Sequence, residues 1–278
     1  MLVYGVFVMK IVSEIMTEEN IVKIDKDQRI SYALELMEKN SVSHLIAVDN
    51  GKLVGIISIS DITDLLGKRR TGSISPSRFH VSSGMSTDPI TITPDTDISE
   101  AAKIMLSKKI SSLPVVEKDE LLGIFSKSDF LKCFDDVESV YVDQLMSEKS
   151  KRPLVISSTD RIIRARSMML KRGFSFLPVL DRGRVAGAID SRMIAFALAR
   201  FKTKTRPEHQ EEAIKHLLVE QIMIKDPKTL KMDMSLSKVS KIMRNQTLKG
   251  LPVLDSEDKL TGVLTQTDIA HFVSKNSP

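Results

Sequence analysis

Short apolar runs and helical stripes alternate along this chain, and the alternation recurs four times. In the first copy, residues 21–24 read as a strand, and Ile30, Ala33, Leu34 and Met37 follow at i, i+3, i+4 and i+7, the spacing of one helical face. Two further apolar runs, 45–48 and 53–57, are separated by Asp49-Asn50-Gly51, and Asn-Gly is a strong hairpin signal. Ile62, Leu65 and Leu66 then begin a closing helix that Gly67 is suited to end. The second copy predicts a strand at 90–92, a capping box from Asp97 and Glu100, and a stripe of Ile98, Ala101, Ala102 and Met105. In the third, Arg166 interrupts the stripe of Ile162, Ala165 and Met169, and Met193, Ile194, Phe196, Ala197 and Leu198 form a closing helix apolar enough to require burial against another element. The fourth places Leu236, Val239 and Met243 on a helix and a turn at 255–258. Strand, helix, strand, strand, helix predicts an α/β (α+β) fold.

Fixed signposts hold the copies in register. Met16, Met85, Met146 and Met223 open them, and Ser58, Ser126, Asp190 and Thr265 follow at 42, 41, 44 and 42 residues. Leu45-Ile46-Ala47-Val48, Leu113-Pro114-Val115-Val116, Leu177-Pro178-Val179-Leu180 and Leu251-Pro252-Val253-Leu254 lie between. Each copy closes on a glycine and an apolar run: Gly55-Ile56-Ile57-Ser58-Ile59-Ser60-Asp61, Gly123-Ile124-Phe125-Ser126-Lys127-Ser128-Asp129 and Gly262-Val263-Leu264-Thr265-Gln266-Thr267-Asp268. The third, Gly187-Ala188-Ile189-Asp190-Ser191-Arg192-Met193, loses both hydroxyl and acid. Hydroxyl–x–hydroxyl–acid after a strand reads as a helix start, where anions also tend to bind. Internal repetition is the main fact of this sequence.

Length and composition agree with paired repeats. A chain of 278 residues accommodates about two domains, and one repeat alone buries too little apolar surface to stand by itself. Hydrophobic residues at 42% and charged residues at 28% describe an ordinary globular protein. A single cysteine, Cys133, excludes an intrachain disulfide framework and suits a reducing, cytoplasmic setting; its neighbours Phe130, Leu131 and Phe134 predict a buried thiol. Residues 1–9 are apolar but far short of a membrane span and lack a signal-peptide pattern, so they read as a strand or arm, with Met9 an alternative start. The net charge of +5 gathers at Lys68-Arg69-Arg70, Arg78 and residues 202–206, between repeats and without stacking aromatics, as solvated linkers do. Within the long segment 199–216, residues 208–213 read as helical.

A Met-Ser/Thr opening, a Leu-Pro-Val strand and a Gly-apolar-apolar-Ser/Thr-x-x-Asp close resemble the cystathionine β-synthase (CBS) domain. The resemblance covers residues 10–134 and 141–275 and implies four CBS repeats of β-α-β-β-α pattern in two Bateman modules, arranged as a disc. The first module is 1–134 (repeats 10–66 and 80–134), 135–140 is a connector, and the second is 141–278 (repeats 141–198 and 217–275). Four-repeat chains of this kind resemble the γ subunit of AMP-activated protein kinase and its archaeal relatives. The resemblance further implies clefts between paired repeats that bind adenosine-containing ligands: the Asp accepts the ribose hydroxyls, Ser/Thr and the helix start meet phosphate, and apolar residues of the partner repeat sandwich adenine. Carried over by position, one site would use Ser58, Ser60 and Asp61 with Ile90, Ile110 and Ser112. A second would use Ser126, Ser128 and Asp129 with Val22, Val42 and His44. A third would use Thr265, Thr267 and Asp268 with Leu154, Phe174 and Phe176. His44 takes the slot of a basic phosphate contact, which Ser112, Phe176 and Gly250 do not fill. Asp190 would repel phosphate, so the fourth cleft is expected to be empty or to hold something unlike a nucleotide.

Nothing in the chain reads as catalytic. Gly-x-Gly-x-x-Gly, the phosphate-binding Gly-x-x-x-x-Gly-Lys-Ser/Thr and the Gly-x-Ser-x-Gly elbow are absent, and His44, His80, His209, His216 and His271 have no metal-like spacing with each other or with Cys133. Asp135-Asp136 and Glu211-Glu212 read as solvated linker acids. The expectation is therefore a non-enzymatic, cytoplasmic sensor that needs no cofactor or metal. It binds AMP, ADP, ATP or S-adenosylmethionine as a regulatory ligand, acts on an unidentified regulated protein and can pair with a second copy. Two alternatives stay open: a structural protein–protein interaction module with vestigial clefts, and nucleic-acid binding through the basic linkers.

Overall fold

A computed structural model describes residues 10–67, 75–147, 150–204, 216–245 and 248–276. The apolar arm at 1–9, the basic cluster 68–70 and the helical expectation at 208–213 lie outside these residues. The first repeat runs β1 (Lys23–Asp25), α1 (Ile30–Lys39), β2 (His44–Asp49), β3 (Lys52–Ser58) and α2 (Ile59–Gly67). Asn50 and Gly51 close the hairpin with φ of 49° and 79°, the doubly positive turn that matches strand twist. The second repeat is preceded by β4 (Ser86–Thr87) and contains α3 (Ile98–Ser107), β5 (Ser112–Glu117) and β6 (Glu120–Ser126). After α4 (Val142–Leu145), the third has β7 (Ile156–Ser157), α5 (Ile162–Arg172), β8 (Phe176–Asp181), β9 (Arg184–Asp190) and α6 (Ser191–Lys204). The fourth, after β10 (Ile224–Lys225), has β11 (Leu230–Lys231), α7 (Leu236–Arg244), β12 (Gly250–Leu254), β13 (Leu260–Thr265) and α8 (Gln266–Asn276).

Every opening segment leaves its own repeat and pairs with the next or previous one. Thr17 bridges Ile124 in the second repeat, while β4 adds to β3 in the first. The Ser150 carbonyl accepts from Val263 N in the fourth repeat (2.9 Å), and β10 adds to β9 in the third. The exchange explains why methionine and glycine keep register. A Cβ on Gly55 would lie 2.7 Å from the Ser86 carbonyl oxygen and 3.0 Å from Met85 Sδ; one on Gly187 would lie 2.9 Å from the Ile224 carbonyl and 2.6 Å from Met223 Sδ. Only glycine lets the incoming backbone approach so closely. The openers also satisfy helix starts. Arg29, Arg161 and Ser235 offer no side-chain cap, yet Ile30 N donates to Phe79 O, Ile162 N to Leu217 O and Leu236 N to Val140 O. Valines four residues before each opening methionine (Val12, Val81, Val142 and Val219) anchor these segments and are fully buried.

Contacts gather the chain into two units that each draw on both sequence halves. One holds residues 1–21, 90–153 and 228–278, and the other 22–89 and 154–227. In the first unit α3 packs against α8, and the second and fourth repeats share one core that includes Phe125, Phe130, Phe134, Leu251 and Leu264. In the second unit α2 packs against α6. There α6 serves two cores: Ile194, Ala197 and Leu198 face the third repeat, while Ala195, Phe196 and Ala199 face the first. This double burial is why the helix is apolar on most of its circumference.

Four local expectations differ from the coordinates. The strand at 90–92 reduces to a single parallel bridge, Ile92 to Val115, because Pro94 follows and can donate no ladder bond. Asp97 caps α3 through Ser99 N (2.7 Å), without a reciprocal bond from Glu100 among the described residues. The segment Asp129–Phe134 is a 3-10 helix, since Ser240 Oγ takes the Leu131 carbonyl that an α-helix would use (2.5 Å). Asp135 is no solvated linker acid either: its carbonyl accepts from Ser237 Oγ and its carboxylate pairs with Arg244.

Candidate functional site

The closing motifs share one set of bonds, from the hydroxyl residue to the aspartate three positions on. Asp61 Oδ2 accepts from Ser58 N (2.8 Å) and Ser58 Oγ (2.6 Å), and Asp61 N returns a bond to Ser58 Oγ (3.2 Å). Asp268 repeats this with Thr265 N (2.9 Å), Thr265 Oγ1 (2.6 Å) and a 3.4 Å return bond. Asp129 Oδ2 accepts from Ser126 N and Oγ, both at 2.7 Å, and Ser126 Oγ also meets Ser128 Oγ at 2.7 Å. The first and fourth are capping boxes with a hydroxyl at the cap and aspartate three residues on, and the second keeps the bonds from Ser126 to the aspartate. The strand before the motif is equally regular: Ile59, Lys127, Ser191 and Gln266 each donate their N–H to the carbonyl of Ser43, Ser111, Ser175 and Lys249.

What distinguishes the three acids is the second carboxylate oxygen. Asp129 Oδ1 is held by Lys132 Nζ (2.7 Å) and approached by Thr17 Oγ1 (3.4 Å), and the residue is 5% exposed. Asp268 Oδ1 accepts from Ser147 Oγ (3.2 Å) and from Ser150 Oγ, at 4% exposure. Asp61 is only half-buried, and its Oδ1 has no partner among the described residues. Beside it Ser60 is exposed, as are Ser128 and Thr267 in the other two motifs. A carboxylate with one oxygen spent on its own helix and the other open can still accept from a hydroxyl or a vicinal diol.

The third repeat departs in chemistry while keeping the cap. Asp190 stands where the others have a hydroxyl, and its Oδ1 accepts from Arg192 N (2.9 Å) and Met193 N (3.2 Å). Its Oδ2 accepts from Arg192 Nη2 (2.7 Å) and Nε (3.1 Å). Met193 Sδ lies 3.4 Å from Asp190 N, in the place of the missing aspartate oxygen. The repulsion expected of Asp190 therefore has a different footing. This carboxylate is fully buried, neutralised by Arg192 and turned onto its own helix, which leaves the start of α6 already occupied.

The other candidate residues divide between the two units. Ser58, Ser60 and Asp61 belong to one, and Ile90, Ile110 and Ser112 to the other; Ile90 is exposed and Ser112 buried. Ser126, Ser128 and Asp129 fall in the unit without Val22, Val42 and His44, and Thr265, Thr267 and Asp268 in the unit without Leu154, Phe174 and Phe176. Within its own repeat, His44 lies cross-strand from Ser58, as Ser112 does from Ser126, Phe176 from Asp190 and Gly250 from Thr265. Sequence reasoning missed Thr17, Lys132, Ser147 and Ser150, whose contacts with the acids span more than a hundred residues or a turn of irregular helix. It also missed Lys127, whose Nζ reaches Thr267 Oγ1 of the fourth repeat (3.3 Å). The valine at each opening methionine minus four was legible as a fifth signpost.

Cys133 is half-buried, and burial pushes its thiol up to about 11, so it stays protonated near neutral pH. Among the described residues no cluster of three His, Cys, Asp or Glu side chains could hold a metal ion, and no helix is long and apolar enough to cross a membrane.

Comparison with known proteins places this geometry in a family. A profile described as CBS domain matches residues 12–68, 80–136, 142–200 and 219–275. Protein MJ1225 of Methanocaldococcus jannaschii is 25% identical over 276 residues, covering 94% of this chain and 98% of that protein. Its crystal structure, described as that of a proposed archaeal homolog of g-AMPK, superposes with a TM-score of 0.77 over 95% of this chain and 99% of its own. A protein of the ribosomal RNA operon of Thermofilum pendens is 23% identical across 88% of this chain and 85% of its own. A conserved Pyrococcus horikoshii protein shares the fold, with a TM-score of 0.58 at 18% identity over 98% of this chain and 100% of its own. With four profile matches that together span most of its length, the chain belongs to the CBS domain family, of which it carries four copies.

Proposed function

We propose that this protein is a non-enzymatic sensor that binds adenosine-containing ligands through the closing motifs of its first, second and fourth repeats. Adenine nucleotides and S-adenosylmethionine are the candidate ligands, and residues 1–134 and 141–278 act as the two paired modules. The observation that carries the reading is the open Oδ1 of Asp61 beside exposed Ser60 at the start of α2, a diol acceptor next to a helix N-terminus. The exchange of openers between first and second repeats, and between third and fourth, supports treating these as pairs. Family membership and the kinship proposed for MJ1225 point the same way. Binding then biases the packing around the motif and, through it, a surface read by a regulated protein or by a second copy.

Isothermal titration with AMP, ATP, S-adenosylmethionine and NAD tests the reading, together with ligand-induced thermal stabilisation of wild type and Asp61→Ala. A ligand at a hundred times its dissociation constant stabilises the native state by about 2.7 kcal/mol. Asp61→Ala should reduce that gain, measured against its own unliganded baseline, which the lost bonds to Ser58 lower by about 0.5–2 kcal/mol. No heat from any of the four compounds would leave the interaction-module alternative standing.

A further inference from the structure

We propose that this chain associates with a second copy of itself, the hairpin end of the third repeat in one copy docking on the hairpin end of the second repeat in the other. The inference is independent of the adenosine reading. Nine of the fifteen arginines lie in the third repeat and none in the second, which has ten acidic residues against six lysines. Four of the nine have carboxylate partners within their own unit: Arg164 with Asp160, Arg166 with Asp64, Arg192 with Asp190 and Arg200 with Glu38. Arg161, Arg182 and Arg184 are exposed and form no ion pair among the described residues. They share one end of the repeat, because Ser158 Oγ donates to Asp181 Oδ1 (2.8 Å) and ties the loop before α5 to the turn between β8 and β9. The second repeat gathers the same positions, since Val116 N donates to Ile92 O (2.9 Å).

At this end the two repeats carry opposite charge. Ile98 and Ile162 open the first helices, and Glu117 pairs with Glu120 across one hairpin as Asp181 does with Arg184 across the other, so positions correspond one to one. Arg161, Arg164 and Arg184 stand where the second repeat has Asp97, Glu100 and Glu120; only the turn residue is basic in both, Arg182 and Lys118. Glu100, Glu117, Asp119 and Glu120 are exposed and have no ion pair among the described residues. Arg182 also sits against turn preference, with φ of 50° where the first repeat uses Asn50. A charge held where the turn favours asparagine points to a role outside the turn. Neither surface belongs to a closing motif, because β6 and β9 each run seven residues from this end to Ser126 or Asp190, about 20 Å away. A single-stranded nucleic acid suits the arginines less well, since none of the three phenylalanines of the third repeat is exposed to stack a base. Guanidinium forks match carboxylates, and several such pairs together exceed the little that one exposed pair contributes.

Sedimentation equilibrium of the full chain at about 0.1 M and about 1 M salt, over which the screening length falls from about 10 Å to about 3 Å, tests this. Wild type should self-associate at low salt and lose about ten-fold or more in affinity at high salt. At low salt the reversals Arg161→Glu with Arg184→Glu, and Glu100→Lys with Glu120→Lys, should each weaken association by about ten-fold or more. The chain carrying all four substitutions should return to within about three-fold of wild type, because its two surfaces have exchanged charge. Melting curves check the fold of each variant, and Arg184→Glu alone and Glu120→Lys alone serve where a double reversal lowers the melting temperature. A wild type that stays monomeric at low salt, association that salt does not weaken, indifference to either reversal, or a loss that the combined variant does not restore overturns the assignment.

Discussion

Asp190 and Arg192 show how one substitution at a repeated position is compensated at the next. The hydroxyl that caps the other closing helices is replaced by a buried carboxylate, and the motif's second hydroxyl position is replaced by the guanidinium that neutralises it. Removing one member of such a pair leaves an uncompensated buried charge. Arg192→Ala is therefore expected to cost about 3–5 kcal/mol in urea unfolding, and adding Asp190→Ser should recover most of the loss. At the three other motifs the same reasoning separates structural from binding capacity. One carboxylate oxygen of each aspartate secures its own helix start, so aspartate at this place is explained in part by capping alone. Only the fate of the other oxygen, taken by Lys132 at Asp129 and by Ser147 and Ser150 at Asp268, tells Asp61 from the other two.

At the level of elements, the exchanged openers are the organising device. Each brings a valine plug, a backbone carbonyl for the first helix of another repeat and a stretch of backbone that lies over a glycine. Methionine suits the last contact because its unbranched thioether fills the irregular space above a residue without a side chain. Gly187→Ala should accordingly destabilise the protein by about 1–3 kcal/mol, read as a lower urea midpoint with an unchanged slope. The cause is overpacking against the Ile224 carbonyl, not backbone torsion, so Met223→Ala should relieve little of it. The closing segment of the second repeat makes the complementary point. Its apolar residues read as helix, but buried Ser237 and Ser240 of α7 take its carbonyls and tighten it.

At the scale of the whole chain, the two units cut across the sequence halves because helices of non-adjacent repeats share cores. In one unit α6 lies between the cores of the first and third repeats, and Arg166 of α5 donates to the Thr63 carbonyl (3.3 Å) and pairs with Asp64 (3.6 Å). The arginine that breaks the apolar stripe of α5 is thus a link between repeats. Ala195 is fully buried where α6 meets the first repeat. Ala195→Leu should overpack that contact, with about 1–3 kcal/mol lost. Hydrogen exchange should then quicken in α1 and α2 while α3 keeps its protection, because α3 belongs to the other unit's core.

The sequence by itself determined the four-fold repeat, the order of strands and helices, the hairpin at Asn50-Gly51 and the buried faces of the first helices. All of these follow from short-range periodicity and turn chemistry. It also placed the hydroxyl-and-acid motifs at helix starts, since capping preferences act within three residues. Tertiary structure decided which repeat each opener joins, why Arg166 and Asp135 are charged, and what holds the second oxygen of Asp268. It alone brought Lys127 to Thr267. Those outcomes depend on contacts between residues far apart along the chain, where the repeat leaves local pattern alike and only the identity of the packed neighbour differs.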